Sequence, residues 1–280
     1  MTDLLLVLWG ESYRFGSQKT RGRGIGNYFK RQQIASKSHT DLIKYINEKF
    51  NIKTKVFLNT YKLNDEDDDK LRNFYPTENL IYNFYGDLFN TEHEMLNSTY
   101  TVVNEIISNN NFKFILFVRV DLYLKNYFIK NMAFDNRYIK FAHIDSNIDI
   151  NSINNYGICQ QIMLYPKKYF NTITDKIIYN ATHGIRDKLI ESGISVNDIK
   201  YFINTLHCCS TDLSWNPLYI QVGRDNCVEY EKNRSETKTI DYYYDDVANI
   251  FIKDYDKTIL FWKSQIEKDI SEEDIIVHAL

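Results

Sequence analysis

The spacing of hydrophobic positions changes along the chain, and each change marks an element. Leu4 to Trp9 are continuously apolar and stop at Gly10, the pattern of a strand buried on both faces. Beyond Ser38 or Thr40, either a suitable N-cap, Leu42, Ile43, Ile46 and Phe50 recur at helical spacing, and residues 54–58 then read as a second strand. The acidic run 65–69, with Lys62 and Lys70 on either side, reads as a solvated loop. Thr91-Glu92-His93-Glu94 has the form of a capping box, and Met95, Val102, Val103, Ile106 and Ile107 supply the apolar face of a helix that ends at Asn109-Asn110-Asn111. Residues 112–118 form another nearly continuous apolar run, followed by Arg119-Val120-Asp121. Strands are expected at 138–143 and 158–165, with Pro166 standing where a helix can begin. Residues 196–206 and 259–266 are helical by pattern, with strand-like 218–222 between them. Strand and helix alternate, which predicts an α/β fold: one domain with a mixed, mostly parallel central sheet flanked by helices. Three prolines and no Gly/Ser linker mark no domain boundary.

Composition narrows the partners. The chain has 280 residues, 44% hydrophobic and 25% charged, as an ordinary globular protein has, with aromatics raised to 15%. With 34 basic and 37 acidic side chains it offers no positive excess to a phosphate backbone, so nucleic acid is not an expected partner. No apolar run approaches the roughly 20 residues of a membrane span, and the N-terminus lacks the basic flank and cleavage site of a signal peptide. A soluble, cytoplasmic chain with no transmembrane segment is expected. Cys159, Cys208, Cys209 and Cys227 contain no C-x-x-C spacing and read as free thiols in a reducing compartment.

Two segments carry chemistry by position. In open α/β sheets, ligands bind beyond the carboxyl ends of the strands. Gly10-Glu11-Ser12-Tyr13-Arg14-Phe15-Gly16 follows the opening strand directly, and five of the ten glycines fall between Gly10 and Gly26, interleaved with Arg14, Lys19, Arg21 and Arg23. Glycine permits close backbone approach and arginine supplies charge to a phosphate. The segment is neither a Walker A loop nor a clean G-x-G-x-x-G, which disfavours an NTPase or a simple dinucleotide enzyme. The second segment delivers Arg119 and Asp121 two residues apart at a strand end, so both can face one ligand. Asp121 there suits a divalent cation held against a diphosphate, with Arg119 compensating further charge; the plain alternative is an Arg–Asp ion pair closing the strand.

With Arg119-x-Asp121-Leu122, the later Gln161-Ile162-Met163-Leu164-Tyr165-Pro166, and Asn216-Pro217-Leu218-Tyr219 with Gly223-Arg224, the chain resembles GT-A glycosyltransferases, more narrowly those of large DNA viruses that build the N-glycans of capsid proteins. The resemblance implies one catalytic domain, with a nucleotide-sugar donor half over 1–125 and an acceptor half over 126–280. It implies transfer from a UDP-sugar, with xylose preferred, to an oligosaccharide or glycoprotein acceptor, assisted by Mn²⁺ or Mg²⁺. It also suggests His207 as a second metal ligand beside Asp121. The family pattern D-x-D is broken here, because its first position is Arg119.

Inverting transfer requires a base for the acceptor hydroxyl, and the candidates are Asp212, near Trp215, and Asp145, after a predicted strand. Gly10, Glu11, Ser12, Arg14, Arg21 and Arg119 are the candidate donor contacts. His183 and the pair Cys208-Cys209 carry no placed partner. Tyr242-Tyr243-Tyr244 with Asp245 and Asp246 offers either an acceptor-sugar surface or an edge strand. Two other classes fit part of the pattern: a degenerate glycan-binding protein, and another nucleotide-dependent α/β transferase.

Overall fold

The computed structural model describes residues 3–12, 28–86, 89, 92–145, 157–174, 189–202, 206–207, 218–221, 243–245 and 250–252. The first half alternates strand and helix: β1 (Leu4–Trp9), α1 (Tyr28–Phe50), β2 (Thr54–Tyr61), α2 (Asp65–Arg72), β3 (Leu80–Tyr85), α3 (Glu92–Ser108) and β4 (Phe114–Arg119). It continues through β5 (Leu122–Leu124), α4 (Asn126–Lys130), β6 (Ile139–Phe141), β7 (Ile144–Asp145), β8 (Gly157–Ile158), β9 (Ile162–Pro166) and α5 (Lys167–Thr174). Short strands follow: β10 (Ile199–Tyr201), β11 (Leu206–His207), β12 (Tyr219–Gln221), β13 (Tyr243–Asp245) and β14 (Ile250–Ile252).

Seven strands form the main sheet in the order β10-β6-β9-β4-β1-β2-β3. Only β9 runs against its neighbours; β3, β2, β1 and β4 are parallel, as are β6 and β10. The sheet is therefore mixed and mostly parallel, as the buried apolar runs required. All six β1 side chains and all six of β4 are buried. Alternate residues feed two hydrophobic layers. Leu4, Leu6 and Leu8 pack with Leu42, Ile43 and Ile46 of α1 on one face. Leu5, Val7 and Trp9 pack with Leu96, Tyr100 and Val103 of α3 and Phe170 of α5 on the other; the α1 side is face one and the α3 and α5 side face two.

From β1 the chain steps outward through β2 to β3, then returns to place β4 on the opposite side of β1. Right-handed crossovers in opposite directions put α1 and α3 on opposite faces of the sheet. The chain thus parts between the carboxyl ends of β1 and β4, the switch point where an open α/β sheet forms its ligand crevice.

Three expectations are corrected. The first helix starts at Tyr28, ten residues ahead of Ser38 and twelve ahead of Thr40, and both hydroxyls lie inside it, donating back to Ala35 O and Lys37 O at 2.7 Å each. Its early turns bury Gln32, Ser36 and His39, polar residues that leave no apolar periodicity to read. The acidic run is helical: Asn64 caps it by accepting from the Asp67 amide at 2.9 Å, and the four acidic residues of its first turn face the positive end of the helix dipole. Residues 196–206 are not a helix; a 3-10 turn at Val196–Asp198, capped by Ser195, leads into β10, whose Ile199 is buried against the face-two core. The strand β3 carries no continuous apolar run and was not anticipated; it joins the sheet edge half-buried. Tyr243 and Tyr244 lie in β13, paired antiparallel with β14 in a separate two-stranded sheet. Residues 259–266 lie outside the described residues. Among the described residues, no helix is long and apolar enough to cross a membrane.

Candidate active site at the β1 and β4 ends

The ends of three neighbouring parallel strands converge. β1 ends at Trp9, in register with Arg119 of β4 on one side and Asn59 of β2 on the other. Gly10 then turns with φ +108°, a left-handed conformation that favours glycine. A Cβ there would stand 3.7 Å from the Arg119 guanidinium, an ordinary van der Waals contact, so the backbone angle and not lack of space favours glycine, and the turn passes beside that cation. Glu11 and Ser12 follow and are buried. Ser12 is tied to the end of β2: its amide donates to Thr60 Oγ1 at 3.0 Å, and the Thr60 hydroxyl donates to Ser12 Oγ at 3.1 Å.

Beside Gly10, at the end of β4, Arg119 and Asp121 form a two-bonded pair. Nε donates to Oδ1 at 2.9 Å and an Nη to Oδ2 at 3.1 Å, with both side chains almost wholly buried. The guanidinium carbon sits 5.5 Å from the Trp9 ring centre, in cation–π range. The Val120 amide donates to Trp9 O at 2.7 Å and the Arg119 amide to Gln161 O at 3.1 Å, so the turn is pinned from β1 and from the start of β9.

α1 pins the same turn from beneath. Gln32 Nε2 donates to Val120 O at 2.9 Å, and His39 Nε2 lies 2.8 Å from Leu122 O. A carbonyl only accepts, so His39 carries its proton on Nε2, leaving Nδ1 to accept from the Tyr75 hydroxyl 3.0 Å away. Tyr75 also lies 3.1 Å from Ser36 Oγ, and Ser38 Oγ accepts from the Leu124 amide at 2.9 Å. Burial pushes the His39 pKa down to about 4, against the Leu122 hydrogen bond and the Asp121 charge, which both raise it; the ring is neutral at pH 7. Further along, the Tyr219 hydroxyl lies 3.2 Å from His143 Nε2 and 3.4 Å from Cys159 Sγ, and joins β12 to the core. Cys159 is a buried free thiol.

The structure brings together Gly10, Glu11, Ser12, Arg119 and Asp121 of the sequence candidates. It also sets Asp145 of β7 opposite His207 of β11 in one parallel register, with Gly157 of β8 on the other side of Asp145. Arg14, Arg21 and Asp212 lie outside the described residues, as do Trp215, His183, Cys208 and Cys209. Sequence reasoning missed Trp9, Gln32, His39, Thr60 and Tyr75. Apart from the position of Trp9 at a strand end, none carried a signal, because their roles come from contacts distant in the chain.

Asp121 as placed does not fit a metal ion. Both of its oxygens are bonded to Arg119, and among the described residues no three His, Cys, Asp or Glu side chains converge to complete a coordination shell. The ion-pair alternative describes the strand end, and Arg119 is the cation beside Gly10.

No protein-family model and no curated protein matches the sequence. Solved structures with a similar arrangement do exist. One is a glycosyltransferase involved in the glycosylation of the major capsid of PBCV-1, 8% identical with a TM-score of 0.40, covering 83% of this chain and 100% of that one. Another is Drosophila β-1,4-galactosyltransferase 7 in complex with manganese, UDP-Gal and xylobiose, 10% identical with a TM-score of 0.40, covering 85% and 76%. A third is 4-diphosphocytidyl-2C-methyl-D-erythritol synthase from Anaerococcus prevotii, 11% identical with a TM-score of 0.46, covering 95% and 96%. These neighbours are transferases of nucleotide-linked substrates, and they share with this chain only a general arrangement.

Proposed function

We propose that this protein is a glycosyltransferase that moves a sugar from a nucleoside diphosphate to a glycan hydroxyl. The observation that carries the reading is the switch point between the ends of β1 and β4, where the left-handed Gly10 turns beside the Arg119 guanidinium. Such a site suits an extended anion: glycine and the buried Glu11-Ser12 backbone admit it closely, and a guanidinium with a planar array of N–H donors matches phosphate oxygens.

In this reading the acceptor hydroxyl attacks the anomeric carbon as the bond from that carbon to the diphosphate oxygen breaks. The hydroxyl proton passes to a carboxylate, Asp145 or Asp212, and the nucleoside diphosphate leaves with its added charge facing Arg119. Attack opposite the leaving group inverts the anomeric centre. Residues 1–125 then form the donor half and 126–280 the acceptor half, with Arg14 and Arg21 as further donor contacts. UDP is the preferred nucleotide and xylose the preferred sugar, on the sequence resemblance. Arg119 takes the charge-compensating part that a carboxylate-bound cation would otherwise take.

The test is UDP release from UDP-xylose, UDP-glucose and UDP-galactose, each with and without oligosaccharide acceptors, followed by mass analysis of the acceptor. Acceptor-dependent release with a matching gain in acceptor mass supports the reading. A panel with no transfer, or nucleotide release without acceptor modification, overturns it.

A further inference from the structure

At the level of Trp9, the sheet changes from an apolar to a polar interior. Along face two, the layer Met163, Phe117, Val7, Phe57 and Ile81 belongs to one hydrophobic cluster. One step on, two residues later, the strands carry Arg119, Trp9, Asn59 and Asn83, and Gln161 stands in the turn that leads into β9, its carbonyl accepting from the Arg119 amide at 3.1 Å. Side chains two apart in a strand share a face, so the four strand residues stand abreast as one row, with Gln161 beside Arg119 at its end.

The two ends of the row differ in satisfaction. Asn59 is saturated: its Nδ2 donates to Thr99 Oγ1 at 2.7 Å and to the Tyr85 hydroxyl at 3.3 Å, and its Oδ1 accepts from Asn83 Nδ2 at 2.8 Å. By contrast, Trp9 Nε1 and Gln161 Oε1 are buried with no hydrogen-bond partner among the described residues, in residues 0% and 6% exposed. They flank Arg119, one on β1 and one adjoining β9. An unpaired buried polar atom costs about 1–3 kcal/mol, and two of them on either side of one guanidinium at a ligand crevice call for an occupant.

Their chemistry defines that occupant. The indole N–H only donates and the amide oxygen only accepts. A diphosphate satisfies the indole but offers no proton to Gln161. A neutral group that both accepts and donates satisfies the pair; sugar hydroxyls have that property, and so does the imide edge of a pyrimidine base. We infer that Trp9 Nε1 and Gln161 Oε1 form a recognition subsite for the neutral part of a nucleotide-sugar donor, on either side of the cation that faces its diphosphate. The inference rests on the donor reading of the crevice.

Trp9→Phe removes the N–H and keeps an aromatic ring, and Gln161→Leu removes the amide with little change of volume. Each variant is titrated calorimetrically with inorganic diphosphate, UDP and UDP-glucose, beside the wild type. The expected result is a loss of about tenfold in UDP-glucose affinity for each variant, with diphosphate affinity unchanged. If UDP binding is retained, the partner is the sugar; if UDP weakens in parallel with UDP-glucose, it is the base. Unchanged UDP-glucose binding in both variants, or equal losses for all three ligands, overturns the subsite alone. A wild type that binds none of the three overturns the donor reading, and the subsite with it.

Discussion

Gln32 and Gln161 are the same side chain at the same end of one sheet, buried on its two faces, yet one is engaged by the fold and the other is not. Gln32, on the α1 side, donates to Val120 O and belongs to a network with Ser36, Tyr75 and His39 whose contacts are made within the protein. Gln161, on the opposite side, keeps a buried carbonyl without a donor among the described residues, beside a tryptophan whose N–H has no acceptor among them. Face one therefore holds the Arg119–Asp121 turn in place, and face two carries the hydrogen-bonding capacity that the proposed subsite uses. A polar group that completes a network is a structural part; a polar group left incomplete beside a cation is a binding part.

The largest break of this contrast comes from Arg119 itself. Arg119→Met takes the guanidinium away from the buried Asp121 carboxylate, and a loss of about 3–5 kcal/mol in unfolding free energy is expected by urea denaturation. Next comes the protonation of His39. Its folded-state pKa of about 4 lies below the ordinary 6.5 of an unfolded chain, so above pH 6.5 the ring is neutral in both states and has no effect. As pH falls from 6.5 towards 4 the unfolded state takes up the proton first, and roughly 3 kcal/mol of stability is lost, levelling off below pH 4. Asp121 and Tyr75 surround that ring. The difference in unfolding free energy between wild type and His39→Gln, followed from pH 8 to pH 4, isolates this component; a difference independent of pH would contradict it.

The two glutamines sharpen the comparison directly. Gln32→Leu strips the Val120 carbonyl of a buried donor and is expected to cost about 1–2 kcal/mol. Gln161→Leu removes an amide oxygen that had no partner, so the ligand-free protein should be unchanged or up to about 1 kcal/mol more stable. Equal losses at the two positions, read from parallel denaturation curves, would erase the distinction between the faces.

Much of the fold was legible in the sequence because continuous apolar runs such as 4–9 and 114–118 have one cheap solution, a strand covered on both faces. Placing Gly10 and Arg119 at one crevice followed from the rule for strand ends. What could not be read was polar burial. The first twelve residues of α1 face the turn with Gln32, Ser36 and His39, and no hydrophobic period announces a helix whose buried side is hydrophilic. The acidic helix α2 was hidden in the same way, since Leu71 is its single buried apolar side chain and the rest of the helix is marked only by the Asn64 cap and charged residues. The commitment of Asp121 to Arg119 depends on side-chain direction at a turn, which spacing alone leaves open between a metal ligand and an ion pair.

The most direct measurement is calorimetric titration of the wild-type protein with UDP, once in EDTA and once in excess Mn²⁺. If Arg119, held by Asp121 beside Gly10, supplies the positive charge, UDP binds in EDTA with an affinity within about twofold of that in Mn²⁺. UDP binding that appears only with Mn²⁺ would contradict the assignment of that charge to Arg119, and no binding under either condition would contradict the nucleotide-sugar crevice itself.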